Sequence, residues 1–218
     1  MTTAQKAGLP AITPYPMPTA QDLPANRVPW SPCPSRAVLL VHDMQNYFLR
    51  AFAGAPIPDL VANIARIAEA CRVLGVPVVY SAQPGGQNPE QRGLQLDMWG
   101  RGVGADPHDA AIVDALTPRR EDTLLTKWRY TAFHRTSLAE LLATEGRDQL
   151  VVTGIYAHIG CLMTATDAFM RDIQPFLVAD AVADFSRADH EMALRYAAGR
   201  AGVVTTTRTL LSTLEADR

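Results

Sequence analysis

The stretch from Asp148 to Phe169, DQLVVTGIYAHIGCLMTATDAF, limits the possible folds more than any other part of the chain. Gln149 to Thr153 is a β-branched apolar run of the length of a strand buried on both faces. The residues that follow have helical spacing, which predicts Ile159, Leu162, Met163 and Thr166 on one face. Gly154 to Gly160 is then a strand-to-helix turn. In an open α/β sheet such a turn lies at the carboxyl edge of the strands, where ligands bind and where the free N–H groups of a helix start hold an oxygen or an anion. The active site is expected there.

The same alternation runs through the rest of the chain. Ala37 to Val41 reads as a buried strand, Asp59 to Leu74 as an amphipathic helix closed by Gly75, and Val76 to Ser81 as a second strand, which makes a βαβ unit. Gln83 to Asp106 is polar, Gly-rich and too long for an ordinary connection, so it is expected to wall the active site. A short helix over Asp109 to Leu116, a third strand Thr123 to Thr126 and a helix from Ser137 to Glu145 follow, with Ser137 as its cap and Gly146 as its stop. Beyond the opening stretch come a strand Pro175 to Ala179, a helix Ala188 to Ala201, a strand Val203 to Thr206 and a short last helix. The fold class is therefore α/β, a doubly wound, six-stranded parallel sheet with helices on both faces and right-handed crossovers, in a Rossmann-like three-layer arrangement.

One domain is expected over residues 36–218, a length that buries roughly 70% of the unfolded surface in a single core. Residues 1–35 are proline-rich and without periodicity, and read as an extended N-terminal arm pinned by Tyr15, Leu23 and Trp30. A solvated tail is the alternative, although such a tail would be poorer in apolar residues. The 20 basic and 22 acidic residues nearly cancel and form no cluster, which argues against nucleic acid or an anionic membrane as partner and for a small-molecule substrate. No apolar run approaches membrane-spanning length, so no membrane association is expected. Three cysteines without a CxxC and a start without an apolar signal core suit the cytoplasm.

Two charged residues stand at comparable places. Asp43 lies just past the first strand in VLLVHDMQNYF, and Lys127 just past the third in LLTKWRYTAF. Asp43 reads equally as a turn cap, and Lys127 alone as a solvated surface residue; opposite charges at strand ends around one crevice are the stronger signal. His42, His108, His134, His158 and His190 lack metal-ligand spacing, so no metal is expected. Gly100, Gly102 and Gly104 follow no strand, and no GxSxG elbow occurs, which leaves little for a dinucleotide or serine-hydrolase site; no cofactor is expected.

The motifs HDMQNYF, TKWRYTAFHR and GIYAHIGC resemble the isochorismatase-like family, over nearly the whole chain. The resemblance implies a doubly wound sheet and places the Asp and Lys of the family's amidase triad on Asp43 and Lys127. The family cysteine falls on Gly160. Cys161, one residue later, is turned by about 100° on a helix and reads as a core cysteine. Loss of the nucleophile marks the branch that hydrolyses the enolpyruvyl ether of isochorismate or its 2-amino analogue. AITPYPMPTAQDLPANRVPW, AQPGGQNPEQRGLQLDMWG and YAHIGCLMTATDAFMRDIQPFLVADAVADFSR resemble that branch closely.

A vinyl ether is cleaved by protonating its terminal carbon, which requires a positioned acid and no covalent intermediate. Asp43 is the chosen acid, Lys127 its neighbour, and Gly160 would leave room for the substrate. By resemblance, Gln83, Arg92, Lys127, Tyr156 and the Gly160 N–H would converge as donors on the substrate carboxylates, with Phe48, Trp99 and Tyr130 as walls. The resemblance further implies a cis peptide bond between Ile155 and Tyr156 and a homodimer. Two other readings stay open: an amidase using Cys161, and a docking subunit for an aryl carrier protein, which would act in trans because the chain stops at Arg218 with no room for a carrier domain. The arm and the EQRGL loop look more like the phenazine-type enzyme, and GIYAHIGCLMTATDAFMRDI more like the siderophore-type.

Overall fold

Consecutive buried residues, Ala37–His42, form the first strand, β1, and every one of its six side chains is covered. Such a strand needs a partner layer on each face, and the computed structural model, which describes residues 8–217, supplies both. Along β1, Leu39 and Val41 join one core while Val38 and Leu40 join the other. The remaining strands are β2 (Val78–Ala82), β3 (Thr123–Thr126), β4 (Gln149–Ile155), β5 (Gln174–Ala183) and β6 (Val203–Thr205). They form one sheet in the order β3-β2-β1-β4-β5-β6, and every pairing is parallel. The order reverses direction at β1 and β4, so a crevice opens beyond their carboxyl ends.

The helices are α1 (Asn46–Leu49), α2 (Ile57–Val73), α3 (Pro89–Arg92), α4 (Gln95–Trp99), α5 (Pro107–Ala110), α6 (Leu138–Thr144), α7 (Leu162–Phe169), α8 (Arg187–Tyr196) and α9 (Thr207–Ala216). α2 and α9 cover one face of the sheet, through Leu60, Ile64, Ile67, Leu210 and Leu214. α6, α7 and α8 cover the other, through Leu138, Leu142, Leu162, Ala193 and Leu194. Among the described residues no helix is long and apolar enough to cross a membrane.

Several local expectations are corrected. The predicted face of Ile159, Leu162, Met163 and Thr166 does not hold, because the helix is entered through a π-helical turn, Ala157–Cys161, whose extra residue shifts the phase. Of the expected face only Leu162 is buried; the rest of the buried side is Cys161, Thr164, Ala165 and Ala168, small residues that let the helix lie close on the sheet, while Met163 is exposed. Ser137 makes no side-chain cap; Thr136 Oγ1 accepts the Leu138 N–H instead, at 3.2 Å. The helix expected over Asp109 to Leu116 is interrupted: Ile112 bridges antiparallel to Gln45, and the Val113 N–H bonds the Met44 carbonyl. β5 runs four residues past Ala179, through a register shift opposite Val152 and Gly154, and α8 ends in a second π turn at Ala197–Ala201.

The arm, apart from residues 1–7, which lie outside the described residues, is tied down along its length. Ile12 pairs with Phe52, and the Tyr15 hydroxyl sits between the Asp184 N–H (2.7 Å) and His190 Nδ1 (3.2 Å). Asn26 pairs its side-chain amide with both backbone groups of Val204, at 2.7 and 2.9 Å, and so covers the exposed edge of β6. Leu23 and Trp30 pack against the two cores.

Candidate active site

Parallel strands that end at one edge deliver the next residue of each to the same crevice. Asp43 follows β1, Gln83 follows β2, Lys127 follows β3, the turn at 156–160 follows β4, and Phe185 comes soon after β5. Asp43, Gln83, Lys127, Phe185 and, from the turn, Tyr156, Ile159 and Gly160 all line one crevice, mostly apolar with a few placed polar groups, as small-molecule sites generally are. Arg92 and Trp99, from the two short helices of the 83–106 wall, close its far side, with Leu9 from the arm.

Asp43 is the centre of the polar network. Its backbone is left-handed, with φ of 49°, a conformation that Asp adopts more readily than most residues. Its Oδ1 accepts the Ser81 hydroxyl at 2.7 Å, and its Oδ2 faces Lys127 Nζ at 3.0 Å and Gln83 Nε2 at 3.2 Å. Both charged groups are almost fully buried, Asp43 at 4% and Lys127 at 1% exposure. Burial alone would raise the carboxyl pKa, but the Lys127 ammonium, with His42 and the Ser81 hydroxyl, outweighs it and holds Asp43 below the ordinary carboxylate value. Lys127 is fixed in turn by the carbonyls of Arg129 (2.5 Å) and Tyr130 (3.4 Å).

Gln83 connects this pair to Arg92. Its amide nitrogen donates to Asp43 while its Oε1 accepts from Arg92 Nη1 at 3.0 Å. Arg92 also donates from Nε to the Gly100 carbonyl at 2.9 Å and is 4% exposed. Among the described residues no carboxylate pairs with it. A buried guanidinium held only by neutral groups is a positive charge waiting for an anion.

The structure brings all the expected site residues together, with two changes of role. Tyr156 lines the crevice through its ring, while its hydroxyl donates to the Phe48 carbonyl at 2.8 Å and is not free to bind a carboxylate. Gly160 lines the crevice too, but the space its missing side chain leaves belongs to the His42 imidazole: a Cβ there would lie 2.1 Å from His42 Cε1. Trp99 Nε1 donates to the Tyr130 hydroxyl at 2.7 Å, which joins two of the expected walls, and the Phe48 ring meets Tyr156 edge-on. The Ile155–Tyr156 peptide bond is cis.

Cys161 stands apart. It is fully buried, its Sγ lies 3.9 Å from the Thr153 carbonyl, and burial pushes its thiol pKa well above the ordinary value, so no thiolate is available there. Sequence reasoning missed His42, Tyr47, Gln95, Ile155, Ile159, Phe185 and Leu9 as lining residues. For Tyr47 the proximity to Phe48 was a usable signal; Leu9, thirty-four positions before Asp43, gave none.

Comparison with known proteins agrees with this geometry. The model of the Isochorismatase domain matches residues 37–209. The chain is 57% identical over 209 residues to "Isochorismatase" of Bacillus subtilis strain 168, covering 95% of this chain and 67% of that protein. It is 55% identical over 200 residues to "Phenazine biosynthesis protein PhzD" of Pseudomonas fluorescens, covering 92% and 97% respectively. Among solved structures it is similar to a cysteine hydrolase from Pseudomonas syringae pv. phaseolicola 1448A, with a TM-score of 0.79 and 25% identity over 89% of this chain and 99% of that one. With its sheet order, its Asp43–Lys127 pair and these matches, the chain belongs to the isochorismatase family.

Proposed function

We propose that this protein hydrolyses the enolpyruvyl vinyl ether of isochorismate or of 2-amino-2-deoxyisochorismate, releasing pyruvate. The observation that carries this reading is Arg92, a buried guanidinium that has no acidic partner among the described residues and faces the crevice of the Asp43 carboxyl. A site built for a neutral amide has no use for such a charge, whereas a dicarboxylate substrate would pair with it.

The chemistry follows from the arrangement. Asp43, once protonated, gives its proton to the terminal methylene carbon of the ether, and the π electrons of the double bond form the new C–H bond. The resulting oxocarbenium ion is captured by water, whose released proton returns to the Asp43 carboxylate. The hemiketal then collapses as its hydroxyl proton passes to the ring oxygen and the C–O bond breaks, giving the ring alcohol and pyruvate. Lys127 sits where it stabilises the carboxylate left behind, 3.0 Å from Oδ2. No group needs to attack carbon covalently, which suits a crevice that Cys161, fully buried, does not line. Relatives named for isochorismate and for phenazine biosynthesis support this class of reaction in siderophore or phenazine-type secondary metabolism.

The compartment we propose is the cytoplasm, a reading supported by three free cysteines, which suit a reducing environment. The acting unit is proposed to be a homodimer. The test of the reading is direct: offer both purified substrates and measure pyruvate release as kcat/KM. At least one should be turned over without added metal or cofactor, and Arg92→Lys should raise KM tenfold or more, at about 1.4 kcal/mol per factor of ten, because a point charge does not reproduce the planar fork. Inertness toward both substrates would end the proposal.

A further inference from the structure

Two glycines of the motif GIYAHIG make room for one residue on another strand. A Cβ at Gly154, whose φ is +105°, would lie 2.1 Å from the His42 carbonyl oxygen and 2.7 Å from its nitrogen. At Gly160 the same construction meets the His42 ring, at 2.1 Å from Cε1, 2.7 Å from Nε2 and 3.0 Å from Nδ1. Gly160 lies within a helical turn, a conformation open to any L residue, so the imidazole is what excludes a side chain there.

The ring is a spacer between two walls of the crevice. It is buried, with Nδ1 2.7 Å from the Ile155 carbonyl at the end of β4 and Nε2 3.3 Å from the Tyr130 carbonyl in the loop after β3. A neutral imidazole has one N–H, and the shorter contact takes it; the other edge of the ring bears on Tyr130. That Tyr130 carbonyl also receives Lys127 Nζ, which in turn faces Asp43. Nδ1 is 3.8 Å from Asp43 Oδ1. Removing the ring would free the Tyr130 carbonyl, and with it the ammonium that fixes the acid.

We infer that His42 is a positioning residue of this active site: its imidazole takes the place of the side chain absent at position 160 and sets the spacing between β4 and the Lys127 loop, so that Lys127 and Asp43 face each other at bonding distance. An imidazole at 42 and a nucleophile at 160 are mutually exclusive, so cysteine chemistry at 160 is closed while the ring stays where it is. The kinetic part of this inference rests on the ether-hydrolase reading; the packing part does not.

The test is a double-mutant cycle of His42→Ala and Gly160→Ala, with His42→Asn added, read both as denaturant unfolding and as kcat and KM for pyruvate release. Gly160→Ala should lower the unfolding midpoint and cut kcat by about tenfold or more in the native background, yet cost less than about twofold in the His42→Ala background, where the space is empty. His42→Ala should lower kcat about tenfold or more with KM within about threefold, since the substrate contacts remain. His42→Asn, whose amide N–H reaches the place of Nδ1, should recover a clear part of that loss, and it carries the kinetic test if the alanine variant fails to fold. Equal costs of Gly160→Ala in both backgrounds would overturn the packing claim, and full kcat in His42→Ala, or in His42→Asn should the alanine variant not fold, would overturn the positioning claim. If the wild type releases no pyruvate from either substrate, the functional reading fails and the positioning role falls with it, while the unfolding cycle still decides what fills the space at 160.

Discussion

At the scale of single residues, the charge state of Asp43 is the problem the enzyme has to solve. The free site holds the carboxyl below its ordinary pKa, so near neutral pH it is a carboxylate, whereas ether protonation needs the acid. The substrate can supply the difference, because its own carboxylates bring negative charge into the crevice and favour protonation of Asp43. The sign of the pH dependence follows. kcat/KM, which reports the free enzyme, should fall about tenfold per unit as pH rises from about 5 to about 8, while kcat, which reports the complex, should stay level to a higher pH before falling. A kcat/KM that is flat across that window would remove Asp43 as proton donor. Asp43→Asn should lower kcat by about 10²–10⁴ with little change in KM, and retention of more than about a tenth of kcat would likewise exclude it. The positions of Asp43 and Lys127 were legible because a residue just past a parallel strand must emerge at the carboxyl edge. His42 was not, since the last residue of a buried strand reads as core; its signal lay elsewhere in the chain, in the spacing of Gly154 and Gly160.

At the scale of elements, strands were easier to read than helix phase. Thr123–Thr126 was legible to the residue because its neighbours, Asp122 and Lys127, are charged. The entry to α7 was not, because a π turn adds a residue that no 3.6-residue pattern contains, and small residues rather than large ones face the sheet there. That face includes Cys161, so Cys161→Ser should leave kcat within a few-fold and act only on stability, through a hydroxyl placed in an apolar layer. Loss of activity with an intact circular dichroism spectrum would return the thiol to the chemistry. The arm was legible as apolar anchors, but its polar fastening was not. Tyr15→Phe should strand the Asp184 N–H and one nitrogen of His190, both buried, at about 1–3 kcal/mol, which lowers the melting temperature of a domain this size by roughly 2–4 °C for each kcal/mol. An unchanged melting temperature would show that the arm is held by its apolar contacts alone.

At the scale of the whole molecule, the apolar surface is unevenly distributed. α7 and its last turn leave Met163, Phe169 and Met170 exposed, the last at 78%, and α8 leaves Met192 and Tyr196 exposed. Both helices cover the same face of the sheet, and the turn that begins α7 packs against α8, so these side chains belong to one side of the protein. A patch of methionine and aromatic side chains with arginines at its margin, Arg195 and Arg200 among them, has the composition of an interface core with a polar rim. The side that carries the patch is not the carboxyl edge where the substrate enters, so pairing through it would leave both crevices open. Light scattering should therefore find a dimer at micromolar concentration. Met170→Glu, which places a charge where a partner's apolar surface would press, should shift the population toward monomer, while the crevice residues and hence kcat at saturating substrate change little. A wild-type monomer throughout that range would refute the dimer, and a Met170→Glu variant as dimeric as the wild type would move the interface to another face.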